Sequence, residues 1–279
     1  MKQKRASLSE IRRFFARQMA LASQSDDPRL ERVFASVRRE DFLPPGPWRI
    51  GVGGLWLQTP SADPAFIYHN CLVALDEAKA INNGEPFLHA AWLGAVLPKA
   101  GARICHIGVG LGYYTAILSR LSSPGGHVTG FEIDERLAEG ARKNLARYKN
   151  VKIVPGDATK LDLPGFDLIY VNAGVASPPV SWLECMRPQG RMIFPWRPSE
   201  SVGLTLLVTR REEGFEVKPL MPSWFIPCIG ASDTSACVKA PEMDEARSVR
   251  SLWLISDRPP DDTAAAISAS VWFSKAALA

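Results

Sequence analysis

The chain has 279 residues, of which 46% are hydrophobic and 22% charged, and its formal net charge is +4. That balance supports a real core in one large domain, or one domain with a small appendage, and is ordinary for a soluble globular chain. No apolar run approaches a membrane span, and the charged start lacks the apolar centre of a signal peptide.

The basic residues Lys2, Lys4, Arg5, Arg12, Arg13 and Arg17 gather near the start. They alternate with apolar positions, as on a solvated helix face, so neither nucleic acid nor membrane is expected as a partner. Five cysteines, an odd number with no C-x-x-C pair, read as reduced thiols in a cytoplasmic protein. His69, His89, His106 and His127 lack metal-ligand spacing, so no metal is expected.

Ser7-Leu8-Ser9-Glu10 fits a capping box, and Ile11, Phe15 and Met19 follow at helical spacing. Asp27-Pro28 opens a second helix with Leu30, Val33, Phe34 and Val37 on one face. Residues 48–86 carry Gly51, Gly53, Gly54, Pro60 and Pro64 and read as a long irregular connection, a kind that is often functional. Pro86 opens a helix to about Leu97.

From Arg103 the pattern alternates. Strands are expected at Arg103–Ile107, His127–Ile133, Val151–Val154, Asp167–Val171 and Arg191–Phe194. Helices are expected at Tyr113–Ser122, Glu135–Arg147 and Pro179–Met186. Such alternation means a parallel sheet with helices on both faces. Leu204–Thr209 and Phe215–Leu220 then read as an antiparallel hairpin. Leu252–Ile255 reads as a strand, and Thr263 as the cap of a short Ala-rich helix.

In an open parallel sheet the ligand lies outside the carboxyl ends of the strands. Gly108, Gly110 and Gly112 fall there, in a strand-to-helix turn that brings backbone close to a ligand. Glu132 ends the next strand, where a carboxylate accepts from both ribose hydroxyls. Gly156-Asp157-Ala158 follows the third strand and suits an adenine amino group. Asn172-Ala173-Gly174 ends the fourth and leaves room for substrate. Alone, Glu132 reads as a loop carboxylate and Asp157 as a helix cap; together they follow the order an adenosine ligand needs. The glycines are spaced by two throughout, unlike a dinucleotide fingerprint. That spacing and the hairpin favour S-adenosylmethionine over NAD.

His106-Ile107-Gly108-Val109-Gly110-Leu111-Gly112-Tyr113-Tyr114-Thr115-Ala116, Phe166–Gly174, Met186–Pro195 and Val37–Pro44 resemble the motifs of the protein-L-isoaspartate O-methyltransferase family. The resemblance runs from about Ser9 to Pro227. It implies an α/β fold: a doubly wound, mostly parallel seven-stranded sheet of Rossmann-like methyltransferase type, with an antiparallel C-terminal hairpin and N-terminal helices. It implies S-adenosyl-L-methionine as cofactor, held by His106, Gly108, Gly110, Gly112, Glu132, Asp157, Ala158 and Asn172. It also implies methylation of an L-isoaspartyl carboxylate in a protein or peptide, as a repair reaction.

The chain departs from the family in three places. His106 stands where an acidic residue is usual. Gly84 stands where the family has serine in its substrate-side segment, here Ala80–Pro86. Residues 240–279 extend past the family core. Asn82, Asn83 and Gly84 are the substrate-side candidates, and no side chain is singled out as catalyst. The expected domains are 1–85 (helices and substrate-side loop), 86–227 (cofactor-binding core) and 228–279 (extension). Two alternatives stay open: another small-molecule or peptide acceptor, and a non-catalytic cofactor-binding adaptor.

Overall fold

The computed structural model describes residues 6–161 and 163–278; Lys2, Lys4, Arg5 and Ala279 lie outside the described residues. In chain order the elements are α1 (Leu8–Ala22), α2 (Arg29–Ser36), β1 (Arg49–Val52), β2 (Leu55–Gln58), β3 (Leu72–Asp76), β4 (Ile81–Asn82), α3 (Pro86–Val96), β5 (Arg103–Ile107), α4 (Tyr113–Ser122), β6 (His127–Glu132), α5 (Glu135–Asn144), β7 (Val151–Pro155), β8 (Phe166–Val171), α6 (Val180–Glu184), β9 (Met186–Trp196), β10 (Leu204–Arg210), β11 (Phe215–Pro222), β12 (Cys237–Lys239), α7 (Met243–Arg247), β13 (Ser251–Leu254), β14 (Ala264–Ser268) and β15 (Val271–Ser274).

The chain divides into two compact units that interleave along the sequence. The first comprises the described residues through Gly101, with Val109–Val128 and Asp134–Ile153. Its start follows the expected logic: Ser7 caps α1, and Glu10 returns a carboxylate to the Ser7 N–H to complete the box. Phe15, Met19, Leu30 and Phe34 are fully buried.

Residues 48–86 are not the irregular connection expected above. They hold a four-stranded antiparallel sheet in the order β2-β1-β3-β4. Gly53 and Gly54 both adopt positive φ (58° and 83°), and two such residues make the tight turn whose twist matches paired strands. A Gly-Gly pair between apolar runs signals this hairpin in the sequence itself.

The second unit comprises Ala102–Gly108, Thr129–Ile133 and the chain from Val154 onward. It is built on an eleven-stranded sheet in the order β12-β14-β15-β13-β11-β10-β9-β8-β5-β6-β7, with β6 and β7 contributing their carboxyl ends. β5 pairs parallel with β8, and β8 with β9, which is the α/β arrangement expected from the alternation. β10 and β11 supply the expected antiparallel hairpin.

Eleven strands, not seven, form the sheet, because β12 to β15 continue it past the hairpin. Ala264–Ser268, expected as a helix, is the strand β14. Its residues pair with β15 instead, and that pairing buries Ala265, Trp272 and Phe273. Two helices are also shorter than expected: α5 stops at Asn144, and α6 stops at Glu184 so that Met186 can open β9.

Candidate active site

The second unit places a row of candidate residues along the carboxyl edge of its sheet. Three backbone hydrogen bonds staple the strand ends. Gly108 N donates to Phe131 O (2.9 Å), Gly156 N to Glu132 O (2.9 Å), and Asn172 N to Ile107 O (2.8 Å). Asp157, Glu132, Gly108 and Asn172 therefore follow the spatial order β7, β6, β5, β8.

Gly108 must be glycine: its φ is +77°, and a Cβ would lie 3.3 Å from Asn172 O. The turn continues into the first unit. There Gly112 (φ +99°) is the N-cap of α4, and a Cβ on it would lie 2.7 Å from Leu145 Cδ1.

Asp157 Oδ1 accepts from Thr159 N (2.9 Å) and Thr159 Oγ1 (2.7 Å). Burial pushes the Asp157 carboxyl up, but Thr159's hydrogen bonds and nearby Lys160 more than offset this and hold it below the usual range. Its Oδ2 is buried and accepts no hydrogen bond; Lys160 Nζ, 3.5 Å away, faces it only as a distant ion pair. Ala158 is buried beside it, and its carbonyl takes Trp182 Nε1–H.

Asn172 Oδ1 is a second buried acceptor without a hydrogen bond. Both acceptors suit the donors of S-adenosylmethionine, which carries an adenine amino group, ribose hydroxyls and an ammonium. A buried polar atom left open is costly unless a partner fills it.

His106 is fully buried, and its Nε2 lies 2.9 Å from Asn172 Nδ2. Burial lowers its pKa to about 3, so the ring is neutral and accepts from the Asn172 amide. This folded value lies below the ordinary value of about 6.5. The unfolded chain therefore binds the extra proton first, and stability falls as pH drops from about 6.5 toward 3. His106→Gln is expected to remove a loss of roughly 1.4 kcal/mol per pH unit in that window, about 2 kcal/mol by pH 5, read from urea midpoints against pH. Parallel curves for the two proteins contradict this.

One contact on the row was not visible in the sequence. The chain after the hairpin returns beside Gly174, with Gly174 N donating to Ile226 O (2.7 Å) and Cys228 N to Gly174 O (2.8 Å). This carries Gly230 against Asp157, where a Cβ would lie 3.1 Å from Oδ2. Only the glycine in Cys228-Ile229-Gly230-Ala231 hints at it.

Asn82, Asn83 and Gly84 lie in the first unit. Asn82 Oδ1 accepts from Gly84 N (2.9 Å), and Asn83 Oδ1 from Val73 N (2.8 Å) and Arg39 Nη2 (3.3 Å). Gly84 has φ +77°, and a Cβ there would collide with the His89 imidazole, with Cδ2 only 2.8 Å away. His89 stacks on Tyr114 at 3.7 Å, which locks the ring in that place. The absent hydroxyl is thus matched by a neighbour that fills its space. Among the described residues no three His, Cys, Asp or Glu side chains cluster as metal ligands, and no helix is long and apolar enough to cross a membrane.

The row lies outside the carboxyl ends of the strands, where an open α/β sheet binds its ligand, and the family match makes the class an S-adenosylmethionine-dependent methyltransferase. The family model for protein-L-isoaspartate(D-aspartate) O-methyltransferase matches residues 60–233. A Bradyrhizobium sp. (strain ORS 278) protein-L-isoaspartate O-methyltransferase is 30% identical over 207 residues, 73% of this chain and 86% of its own. That of Methanothrix thermoacetophila is 35% identical over 136 residues, 47% of this chain and 63% of its own length. A solved protein-L-isoaspartate O-methyltransferase shares the fold at a TM-score of 0.68 and 20% identity, covering 95% of this chain and 88% of its own. The chain belongs to the protein-L-isoaspartate(D-aspartate) O-methyltransferase family. Most of the segment after Lys239 also has a counterpart in that solved fold, since so little of the chain is left outside the match.

Proposed function

We propose that this chain transfers the methyl group of S-adenosylmethionine to the free carboxylate of L-isoaspartyl residues in proteins or peptides, as a repair reaction in the cytoplasm. The observation that carries this is the row of Glu132, Asp157 and Asn172, the last two each with a buried oxygen that accepts no hydrogen bond, on a fold of this family.

S-adenosylmethionine, when bound, supplies an electrophilic methyl group. Glu132 and Asp157 hold the adenosine end, and Asn172 is held in place by neutral His106. A carboxylate acceptor has a pKa near about 4 and is ionised at neutral pH, so it needs no general base. What remains for the chain is to align acceptor and methyl and to exclude water. On the acceptor side, Asn82, Asn83 and Gly84 are the residues assigned.

The filled space at Gly84 favours a second reading, in which the acceptor is a different carboxylate of a peptide or small molecule. One assay separates the two. The chain is incubated with methyl-labelled cofactor and either an isoaspartyl peptide or its aspartyl twin. A base-labile methyl ester on the isoaspartyl peptide alone is the expected result. Label on neither peptide, with cofactor binding intact, favours the second reading.

A further inference from the structure

The hairpin formed by β3 and β4 reaches across the first unit to two places at once. Its Leu75 lies against the glycine turn: Cδ1 is 3.4 Å from where a Cβ on Gly110 would stand. Its tip carries Asp76, Glu77 and Lys79, and two of these pair with the start of α5. Asp76 Oδ2 meets Arg136 Nη2 at 2.5 Å, and Lys79 Nζ meets Asp134.

Asp134 is the N-cap of α5, and its other oxygen accepts from Arg136 N (3.0 Å) and Leu137 N (3.1 Å). One carboxylate therefore ties the hairpin tip to a helix start. The hydrogen bond from Lys79, then those from the helix N–H groups, hold the Asp134 carboxyl below its usual range.

The base of the hairpin is fixed, since β3 pairs with β1 and Asn83 bonds Val73, and at the tip Glu77 also meets Arg49 Nη1 at 2.7 Å. Its two strands pair only through Ala74–Asn82 and Asp76–Ile81, across an irregularity in register. Ala80, at the turn, sits at φ +54°, a conformation non-glycine residues seldom adopt. Beside it lies an open cleft of about 380 Å³, lined in part by Pro44, Trp48, Leu75, Asp76, Glu77 and Arg136. Lys79 and Arg136 are 58% and 68% exposed while Asp134 and Asp76 are 12% and 14%, so each pair has a solvent-facing cation that salt can screen.

We propose that the β3–β4 hairpin is a retaining strap for the cofactor. Leu75 closes over the glycine turn, and the pairs Asp76–Arg136 and Lys79–Asp134 are its latch. The strap opens to admit S-adenosylmethionine and to release S-adenosylhomocysteine. This rests on the cofactor reading of the glycine turn. A strap latched by ion pairs with solvent-facing cations gives a dissociation rate set by charge and salt, which rigid packing does not.

The test is the dissociation rate of S-adenosylhomocysteine, followed by stopped-flow tryptophan fluorescence. In the unaltered chain, raising NaCl to about 0.5 M is expected to speed release several-fold. Lys79→Met with Arg136→Met is expected to release about fivefold faster at low salt and to lose the salt response. The exchanged pair, Asp76→Arg with Arg136→Asp, keeps the attraction and is expected to restore both. Leu75→Ala is expected to speed release at every salt concentration.

Rates within twofold of the unaltered chain for the double variant overturn the strap. So does failure of the exchanged pair to restore slow release while its melting transition is retained. If the unaltered, folded chain binds no S-adenosylhomocysteine, the cofactor reading falls, and the strap with it.

Discussion

Replacing Glu132 with alanine is expected to weaken S-adenosylhomocysteine binding about 100-fold or more. Glu132 ends β6, is only 7% exposed and sits between Gly108 and Asp157 in the strand-end row. On the proposed function its carboxylate accepts from both ribose hydroxyls. Hydrogen bonds to a charged group contribute about 1.5–3 kcal/mol each, so losing two costs about 3 kcal/mol at the least. The fold is expected to survive, because it is the backbone carbonyl of Glu132 that receives Gly156 N, and alanine keeps it. Glu132→Gln, which keeps one acceptor, falls between.

Calorimetry with S-adenosylhomocysteine and its 2′-deoxy analogue checks the role. The unaltered chain should prefer the full ribose, and the alanine variant should lose most of that preference. Equal discrimination in both proteins contradicts the assignment of Glu132 to the ribose.

The second large effect is on stability. Arg39→Met is expected to cost about 3–5 kcal/mol. Arg39 is fully buried, and its guanidinium donates to the carbonyls of Ile67 (2.5 Å), His69 (3.3 Å) and Cys71 (2.6 Å) and to Asn83 Oδ1 (3.3 Å). Among the described residues no carboxylate lies within ion-pair distance of it. The carbonyl dipoles take the place of a counter-ion. Methionine fills a similar volume but leaves at least three carbonyls without a donor, at roughly 1 kcal/mol or more each. For a chain of this size that corresponds to a fall in melting temperature on the order of 10 °C. Arg39→Lys keeps the charge but lacks the planar fork, so it should recover only part of the loss. A methionine variant that melts with the unaltered chain contradicts the clamp.

Arg39 also bears on the segment proposed for the acceptor side, since it and Val73 N together hold Asn83 Oδ1. The segment assigned to the acceptor side is therefore shaped by a residue more than forty positions earlier. Nothing local in Val37–Pro44 reveals that pairing, although the stretch resembles the family's motif.

Where a short pattern sets structure, the residues alone were sufficient. The capping box at Ser7, the glycine spacing from Gly108 to Gly112 and the strand–helix alternation from Arg103 to Phe194 each follow from backbone geometry within a few residues. The glycine pair at Gly53 is equally local, although the Gly- and Pro-rich composition around it resembles that of a loop. Ala264–Ser268 was different. Its helix-forming composition was overridden by pairing with β15, a contact outside the segment itself.

By itself, then, the order of residues determined the α/β class, the glycine turn and the two strand-end carboxylates. Each depends on periodicity, turn chemistry or position at the end of a strand. Tertiary structure alone decided that His106 is neutral, because its burial is a matter of packing and its Asn172 partner lies 66 residues away, just past the end of β8. It alone decided that His89 and Tyr114 close the space at Gly84, and that Gly230 lies against Asp157. Burial and steric contact are properties of packing, and packing joins residues whose separation along the chain carries no local signature.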